Sequence, residues 1–599
     1  MDKQTTLGFV LIALVLMVWI WWSSPRQNSN PAMNARHEAV QDTTEKKVSE
    51  PSPQATPPPS ASEPAMKDSL GKFFSVAAVG KEQIVTIETD HYIVEISTKG
   101  GVIRKWELKD FKTWDGYPVQ LVDQSRGGDF SLLFTTTDGK LINTHGLYFT
   151  ATLPPTRKVI LSGSEKFSLD LVLNCGPGQI VKSLHFTNDE YDFGASLKLL
   201  HMENVIANYE YQVIWENGVQ YTERNSVDES RYSLAYSYAG GEVTEIDASK
   251  AGETPISNTS GTTDWIATRI KYFAVAIISA DKKASGAYLE GTHETASNNG
   301  VVKRYSIGLK VPFKNTSEEI SDFTVFLGPL DFDIIKGYGD GLDHLLSLGW
   351  SWLRPLNVYL FIPLFQFLHR FIFNWGLVII VFSLIIKAAL HPLTRSSMKS
   401  MRKMQVLQPK IEELRAKYKD EPAKMNEQVM KLYKEYGVNP AGGCLPFLLQ
   451  MPILYALYAI FTTSIHLRQA SFFLWIKDLS VPDVIYTLPF TIPFVGVHDI
   501  SGLAFLMGIT MFFQQKMSVK DPRQKAMVWM MPVMMTLLFN SFPSGLNLYY
   551  FVFNLLAIGQ QLFVNKQHDD EQIVKISDKK KNGRMMTALT KNLPKQPKR

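Results

Sequence analysis

The sequence predicts a polytopic α-helical membrane protein that also carries a large antiparallel β-sandwich domain. Two observations lead to this fold class. Long apolar segments occupy the N-terminus and the last third of the 599 residues, while short runs that alternate between apolar and polar residues fill the region between them. Continuous apolar segments of this length are typical of membrane-spanning helices, and an alternation with a period of two is typical of half-buried strands.

The apolar segment from Leu7 to Trp22 predicts an N-terminal membrane anchor over residues 1–23. It closes with tryptophans, which are enriched where a span meets the lipid headgroups. A cleaved signal peptide is the alternative, but the following Ser23–Pro25 is not a clear cleavage site, so we favour an uncleaved anchor. Residues 24–67 are rich in proline, serine and charge and predict a disordered linker.

Residues 68–345 predict the β-sandwich domain. Alternating runs such as Gln83–Glu88 and Tyr92–Ile96 are separated by Gly, Asn, Asp and Ser, with few helical stretches between them. This arrangement favours an antiparallel sandwich over a parallel sheet. The two cysteines, Cys175 and Cys444, lie in different regions, so we expect neither a disulfide nor a cysteine metal site.

Residues 346–373 predict an amphipathic helix that lies in the membrane interface. The segment is apolar from residue 350 onwards, but arginines and prolines interrupt it. A straight span is therefore not expected, whereas a helix parallel to the membrane surface tolerates such residues.

Residues 374–565 predict five membrane spans, which with the anchor make six. The spans are placed near residues 374–393, 444–465, 496–515, 526–542 and 546–564. The segment 484–495 is not counted as a span, because it contains Pro489 and Pro493 and is shorter than the ~20 residues that a bilayer requires.

The distribution of basic residues predicts the orientation of these spans. Residues 394–439 hold eleven Lys and Arg against six Asp and Glu, and the tail after Asn565 holds ten against four. Because basic loops stay in the cytoplasm, both segments and both chain termini are expected on the cytoplasmic side. Residues 24–345 are then expected across the membrane.

The connection formed by residues 394–439 carries two apolar stripes at helical spacing, separated by a break at Asp420–Pro422. The stripes predict a charged helical hairpin. A solvated connector is the alternative that the pattern leaves open.

Lys387 is the one obvious charge inside a predicted span. A lysine at a helix centre costs roughly 2.5–3.5 kcal/mol on insertion scales, so such residues usually face a bundle interior or a watery cavity. Ser383 lies one helical turn earlier on the same face. The alternative is that Lys387 snorkels to the headgroups, because His391 and Pro392 follow closely. The residue alone leaves both interpretations open.

Several motifs of the last third, taken in order, resemble those of a known family. They are Gly442–Pro446 leading to Gln450–Pro452, the stretch Phe542–Tyr550 (FPSGLNLYY), and the shorter Asn374–Gly376, Pro392–Thr394 and Asn439–Pro440. All are similar to the YidC/Oxa/Albino membrane protein insertases. The anchor and the β-domain resemble the Gram-negative form, whose periplasmic domain is a galactose-mutarotase-like supersandwich.

The resemblance implies a five-span insertase core that encloses a hydrophilic groove, closed toward the periplasm and open to the cytoplasm and to lipid. Lys387 matches the charged groove position, where the family usually has arginine, with Ser383 and Gln450 beside it. Lysine keeps the charge but lacks the planar fork of arginine, so a bidentate grip on a carboxylate is not expected. The residues expected to contact an entering substrate helix are Leu445, Pro446, Met451, Pro452, Val533, Leu538, Tyr549 and Tyr550.

The implied function is the insertion and folding of proteins of the bacterial inner membrane, alone or with the Sec translocon. Nascent membrane proteins are the expected substrates, and the lipid bilayer is an expected partner. The Lys-rich tail, residues 566–599, predicts contact with the ribosome, or else a topology signal drawn to anionic lipid. The sequence has no phosphate-loop motif and no set of nucleophile, acid and base. We therefore expect no enzyme activity, no cofactor, no metal and no small-molecule substrate.

Two other classes of protein deserve comparison. A secondary transporter also places an ionisable residue in a helix bundle, but the sequence shows no inverted repeat. A membrane-anchored carbohydrate-active enzyme is suggested by the sandwich alone, which is a weak argument because a fold does not define a function.

Overall fold

The computed structural model describes residues 70–152, 157–280, 284–295, 300–438, 445–492, 496–519 and 525–567. The predicted anchor, the linker, the Gly442–Cys444 motif and most of the basic tail lie outside these ranges. The chain divides between Leu346 and Ser347 into two compact units, a β unit and a helical unit.

The β unit consists of strands with short helical turns between them. Its short helices are Gly71–Phe74, Ser226–Ser230 and Phe332–Gly337. Its strands are β1 Ile84–Glu88, β2 Tyr92–Ser97, β3 Val102–Lys112, β4 Pro118–Gln120, β5 Ser131–Thr135, β6 Leu141–Asn143, β7 Thr150–Ala151, β8 Lys158–Ile160, β9 Lys166–Cys175, β10 Gly178–Thr187, β11 Asp192–Leu200, β12 Glu210–Trp215, β13 Leu234–Ala239, β14 Glu242–Ile246, β15 Ile256–Arg269, β16 Phe273–Ser279, β17 Ala284–Thr295, β18 Val301–Pro312 and β19 Glu318–Pro329.

These strands form a sandwich of two sheets. The smaller sheet has the order β4-β3-β2-β1-β8, and the larger one runs β6-β5-β12-β18-β17-β15-β16-β19-β11-β10-β9-β7, with β13 and β14 branching from β15. Trp106 of the small sheet meets Phe193 of the large sheet, with ring centroids 5.9 Å apart. The prediction of a β-sandwich is therefore confirmed. It was wrong in one detail, since β1 and β8 pair in parallel.

Alternation of apolar and polar residues explains why the strands form where they do. Strand β10 buries every second residue along most of its length, so that one face of the strand contributes to the core. Lys182 interrupts this core, because its fully buried ammonium donates to the carbonyl oxygens of Gly100, Gly101 and Phe130 at 3.3, 3.2 and 2.9 Å. Burial lowers the pKa of Lys182 to about 7. Cys175 is a free, buried thiol.

In the described part of the helical unit, a broken helical segment is followed by six longer helices. Residues 354–369 form the short helix Arg354–Leu356, the π turn Asn357–Phe361 and the helix Ile362–His369. The prediction of one helix over 346–373 was too long, because turns precede Arg354 and follow His369. The longer helices are α1 Trp375–Lys417, α2 Pro422–Glu435, α3 Leu445–Thr463, α4 Gly502–Ser518, α5 Lys525–Phe539 and α6 Ser544–Gln567.

Helix α1 is longer than the sequence predicted. The side chain of Asn374 caps it by accepting from the Leu377 N–H at 3.2 Å, and it then runs without interruption for 43 residues through Pro392 and Pro409. The predicted boundary between a span ending at 393 and a hairpin starting at 394 is therefore not a break in the helix. Helix α2 folds back on α1 around a small core of Leu407, Ile411, Tyr436 and Val438, against which Val429, Leu432 and Tyr433 of α2 pack.

A two-stranded hairpin replaces the start of the predicted third core span. Strand β20, Val484–Ile492, pairs antiparallel with strand β21, Val497–Ser501. Helix α4 therefore begins at Gly502 and not near residue 496. The Ser501 side chain caps this helix by accepting from the Ala504 N–H. Among the described residues, only α1 is long and apolar enough to cross a membrane, and Val528–Phe539 is a shorter apolar helix. The count of six spans stays a prediction.

Helices α4 and α5 approach closely at one glycine. A Cβ atom on Gly508 would lie 1.9 Å from Thr536 Oγ1, which itself donates to the Pro532 carbonyl at 2.8 Å. Rotating the threonine away would break that hydrogen bond. Small residues allow this kind of close backbone contact between membrane helices.

We expect Gly508→Ala to destabilise the protein by about 1–3 kcal/mol, because the added methyl group forces α4 and α5 apart. The measurement is the thermal unfolding midpoint of the full-length chain in detergent. Gly559→Ala in α6 is the matched control, since a Cβ there meets no described atom within 4 Å. Equal midpoints for the two variants would contradict this account of the helix contact.

Candidate functional site

Lys387 lies on the buried face of α1, with Phe382, Ser383 and Ile386. Its residue exposure is only 9%, and its Nζ lies 4.2 Å from the centroid of the Phe553 ring in α6. No described carboxylate forms an ion pair with it. An ammonium over an aromatic face gains a modest attraction, worth about 0.5–2 kcal/mol. The site thus holds a largely covered positive charge without a compensating anion among the described residues.

The other two predicted groove residues take different positions around this charge. Ser383 is fully buried, and its hydroxyl donates to the Ile379 carbonyl of its own helix at 2.7 Å. Gln450 on α3 is half-buried and faces the hydroxyl of Tyr550. The structure therefore associates Gln450 with the tyrosines and Ser383 with the helix backbone.

Tyr549 and Tyr550 connect the site to the core of the helical unit. Tyr549 stands 5.7 Å from Phe553 and 6.1 Å from Phe382 between ring centroids, and Tyr550 packs edge-on against Phe539 at 5.1 Å. Both hydroxyl oxygens are buried without a hydrogen-bond partner of good geometry among the described residues. Buried hydroxyls of this kind are ready to bond water or a polar group that enters.

The remaining predicted contact residues divide between the core and the surface. Leu538 packs against the buried core, and Pro452 is half-buried, whereas Met451 and Val533 expose 46% and 57% of their surface. Leu445 and Pro446 belong to α3, but their side chains lie outside the described residues. The exposed Met451 and Val533 provide apolar surface on α3 and α5.

Polar contacts one to four turns beyond Lys387 hold α1 against α6. The Gln560 Nε2 lies 3.0 Å from His391 Nδ1 and donates to Thr394 Oγ1 at 3.2 Å. Arg402 donates to the Val564 carbonyl at 3.0 Å. These contacts fix the basic end of α1 beside the C-terminal half of α6.

The helical unit also contains a polar cluster that sequence reasoning did not identify. Asp483, which is 6% exposed, accepts from the Trp475 indole N–H at 2.8 Å, from the Leu503 backbone N–H at 2.7 Å and from the Ser501 hydroxyl. A carboxylate at a helix N-terminus is stabilised by the helix dipole. We call Asp483, Ser501, Ser544 and Asn547 the polar clamp.

The FPSGLNLYY motif supplies half of this polar clamp. The Ser544 hydroxyl donates to the Asp478 carbonyl at 2.7 Å, and the Asn547 amide donates to the Phe539 and Phe542 carbonyls at 3.2 and 3.4 Å and to Ser501 Oγ at 3.4 Å. Both side chains are fully buried. The motif thus ties the turn between α5 and α6 to the start of α4. The signal that could have identified these residues is the presence of Ser and Asn within an apolar run.

The described residues contain no group of three or more His, Cys, Asp or Glu side chains placed to hold a metal ion. The described residues combine a β-sandwich with a helical unit that contains one apolar helix long enough to cross a bilayer, an arrangement consistent with a membrane protein that carries a large domain outside the membrane.

Comparisons with known proteins identify the family. Residues 84–362 match the family described as YidC periplasmic domain, and residues 367–571 match the 60Kd inner membrane protein family. The chain is 39% identical over 581 residues to the Membrane protein insertase YidC of Chlorobaculum tepidum, which covers 96% of both chains. It is also 39% identical over 584 residues to the Membrane protein insertase YidC of Chlorobium luteolum. That alignment covers 96% of this chain and 97% of the relative.

This chain belongs to the YidC family of membrane protein insertases, which are bacterial inner-membrane proteins with a periplasmic domain. The β unit is that periplasmic domain. The relatives are named as insertases and not as enzymes, in agreement with the sequence prediction. A crystal structure of an active YidC insertase with its first transmembrane domain resolved aligns at a TM-score of 0.35 and 21% identity, over 81% of this chain and 93% of that one.

We expect Asn547→Leu to lower stability by about 1–3 kcal/mol, because a leucine of similar size removes the side-chain donor to the Phe542 carbonyl and the second donor to the Phe539 carbonyl in the α5–α6 turn. Thermal unfolding of the full-length chain in detergent measures the effect. Asn554→Leu is the matched control: it lies in the same helix and is also buried, and the described residues give its amide no hydrogen bond. If the control loses as much stability as Asn547→Leu, the polar clamp does not hold this turn.

Proposed function

We propose that this protein inserts proteins into the inner membrane and helps them fold, using the charged site around Lys387 as a hydrophilic groove. The observation that carries the proposal is a largely buried ammonium with no paired carboxylate among the described residues. An uncompensated charge in an apolar bundle is costly, so its retention indicates a function. Attraction of an acidic or polar substrate segment is the function that a lone positive charge serves directly.

Exposed apolar side chains of the helical unit would receive the hydrophobic part of the substrate. Met451 on α3 and Val533 on α5 are exposed, whereas Tyr549 and Tyr550 are buried in the first half of α6. A substrate helix that leaves the site along α3 and α5 would move from water to lipid. Transfer of its apolar surface is worth about 25 cal/mol per Å². This free energy can drive insertion without a nucleotide.

The proposed topology places this site on the cytoplasmic side. Six spans, with both termini in the cytoplasm and residues 24–345 in the periplasm, follow from the excess of basic residues in 394–439 and in the tail. Lys387 lies shortly before the first of these basic stretches, and helix α1 contains both Lys387 and the start of that stretch. A substrate tail arriving from the cytoplasm would therefore pass the basic end of α1 before it reaches Lys387.

The proposed partners are nascent membrane proteins, the lipid bilayer, the Sec translocon and the ribosome. Nascent chains and lipid follow from insertion itself. Cooperation with the Sec translocon rests on the family alone. The ribosome is proposed because the tail carries Lys579–Lys581 and further lysines and arginines up to Arg599, and such extensions bind polyanions.

We expect Lys387→Ala to slow insertion by on the order of tenfold, the factor that corresponds to about 1.4 kcal/mol of lost attraction. Lys387→Arg should retain most of the activity, because it keeps the charge. The measurement is protease protection of a single-span substrate with an acidic N-terminal tail, made in cells depleted of the native insertase.

Arg395→Ala is the matched control for this experiment, since it removes an exposed cation from the same helix two turns later. Membrane levels of each variant are compared by immunoblot. Equal insertion by Lys387→Ala and the unchanged protein would rule out the charge as the basis of the groove. A substrate whose tail carries no acidic residue should depend less on Lys387.

Removal of residues 568–599 is expected to reduce co-sedimentation of the protein with ribosomes, most strongly at low salt, because salt screens contacts between exposed charges. Replacing the three lysines of Lys579–Lys581 by glutamine in the full chain separates charge from length. Unchanged co-sedimentation of both variants at low salt would leave the tail as a topology signal only.

A further inference from the structure

The hairpin of β20 and β21 presents an unusual apolar surface. Strand β20 is exposed on both faces, with exposed fractions of 47% at Val484, 51% at Ile485, 58% at Tyr486 and 60% at Phe490. A two-stranded hairpin is at best marginally stable in water, and an exposed apolar strand tends to aggregate. This surface therefore requires a cover that the described residues do not provide.

Strand β21 has the opposite character. His498 and Asp499 expose half of their side chains, and Asp499 accepts a hydrogen bond from Thr487 at 2.8 Å. The hairpin is thus amphipathic across its width, with an apolar strand beside a more polar one. An element of this kind suits a boundary between apolar surroundings and water.

The apolar surface of β20 continues into neighbouring parts of the helical unit. Trp475 and Ile485 both flank Gly502, the first residue of α4, where a Cβ would lie 2.8 and 2.9 Å from their side chains. Next to Trp475, the side chain of Leu474 is 87% exposed. Helix α4 then presents a stripe of exposed apolar residues at helical spacing, which are Phe505, Ile509 and Phe513.

Helix α4 is shorter than the hydrocarbon core of a bilayer is thick. The helix has 17 residues, which span about 26 Å at ~1.5 Å per residue. The hydrocarbon core of a bilayer is about 30 Å thick. The helix alone therefore falls short of this thickness. Strand β21 leads directly into α4, and Ile485 of β20 lies beside Gly502, the first residue of the helix.

The distribution of charge indicates on which side of the membrane the N-terminus of α4 lies, and whether lipid or protein covers the hairpin. The chain has no lysine or arginine between Lys477 and Lys516. Loops without basic residues are typical of the side opposite the cytoplasm. The absence of cations also disfavours an acidic protein partner, whereas Trp475 and Tyr486 are residue types enriched where a bilayer meets water.

The polar clamp fixes the direction in which the hairpin points. Asp483 immediately precedes β20, and Ser501 ends β21. Asp483 bonds both Ser501 and the Leu503 N–H, so the two ends of the hairpin are tied to the first turn of α4. The hairpin therefore continues the helix as a defined unit.

We propose that strand β20 lies in the lipid interface of the periplasmic leaflet, where it completes the apolar thickness that α4 lacks, while β21 faces water. The hairpin is then a lipid-contact surface that sets the depth of α4 in the bilayer. The proposal adds to the function proposed above and does not depend on it, since its test measures lipid contact and not insertion.

Nitroxide labels on single cysteines test this placement. The full chain carries Cys444→Ser, and Cys175 stays because it is buried and burial raises the pKa of its thiol to about 12. Labels are placed by Phe490→Cys and Tyr486→Cys on β20 and by His498→Cys on β21 as the matched control. All three positions are exposed, so the substitutions disturb no core. The protein is reconstituted in vesicles of phosphatidylethanolamine and phosphatidylglycerol.

Collisions of the label with dissolved oxygen report lipid, and collisions with a water-soluble nickel chelate report water. We expect an oxygen-to-nickel ratio several-fold higher at 486 and 490 than at 498. Similar ratios at all three positions would place the whole hairpin in water and overturn the proposal. Protection of 486 and 490 from both reagents would also overturn it, because a protein surface, such as a second copy of the chain, would then cover β20.

Discussion

The contact between helices α1 and α6 organises the helical unit. Helix α1 begins at the Asn374 cap and runs for 43 residues, so a single rigid rod carries both the buried lysine and the basic surface beyond it. Helix α6 lies along it, with Phe553 facing Lys387 and Gln560 bonding Thr394. A charge can remain in an apolar bundle only where neighbouring side chains shield it from lipid.

The two ends of the helical unit depend on polar groups in different ways. Toward the basic end, Gln560 and Arg402 hold α1 and α6 together and leave the lysine without an anion. At the other end, Asp483, Ser501 and Asn547 bond one another and the adjoining backbone, while Asn547 Oδ1 has no partner among the described residues. Hydrogen-bonded networks of this kind hold buried polar groups in fixed positions. The polar clamp therefore ties helix ends together, whereas the lysine is covered mainly by aromatic side chains.

Local patterns anticipated much of the architecture. The period-two runs predicted the β-sandwich, and the motifs around Gly442 and Phe542 identified the family. The errors arose where distant residues decide the outcome. The parallel pairing of β1 with β8 joins segments about seventy residues apart in the chain, and no short window of sequence signals it. The hairpin before α4 is a local pairing, whose two ends are joined by the hydrogen bond between Asp483 and Ser501.

Composition and periodicity alone establish a membrane protein with a β-sandwich domain, a lysine within an apolar helix and a basic segment after it, because hydropathy and side-chain period act locally. The tertiary structure decides what surrounds that lysine. It turns Ser383 toward its own helix, brings Phe553 over the ammonium and gathers Ser544 and Asn547 into the polar clamp. These outcomes depend on helix packing, and packing brings together residues whose separation along the chain carries no information about their contact.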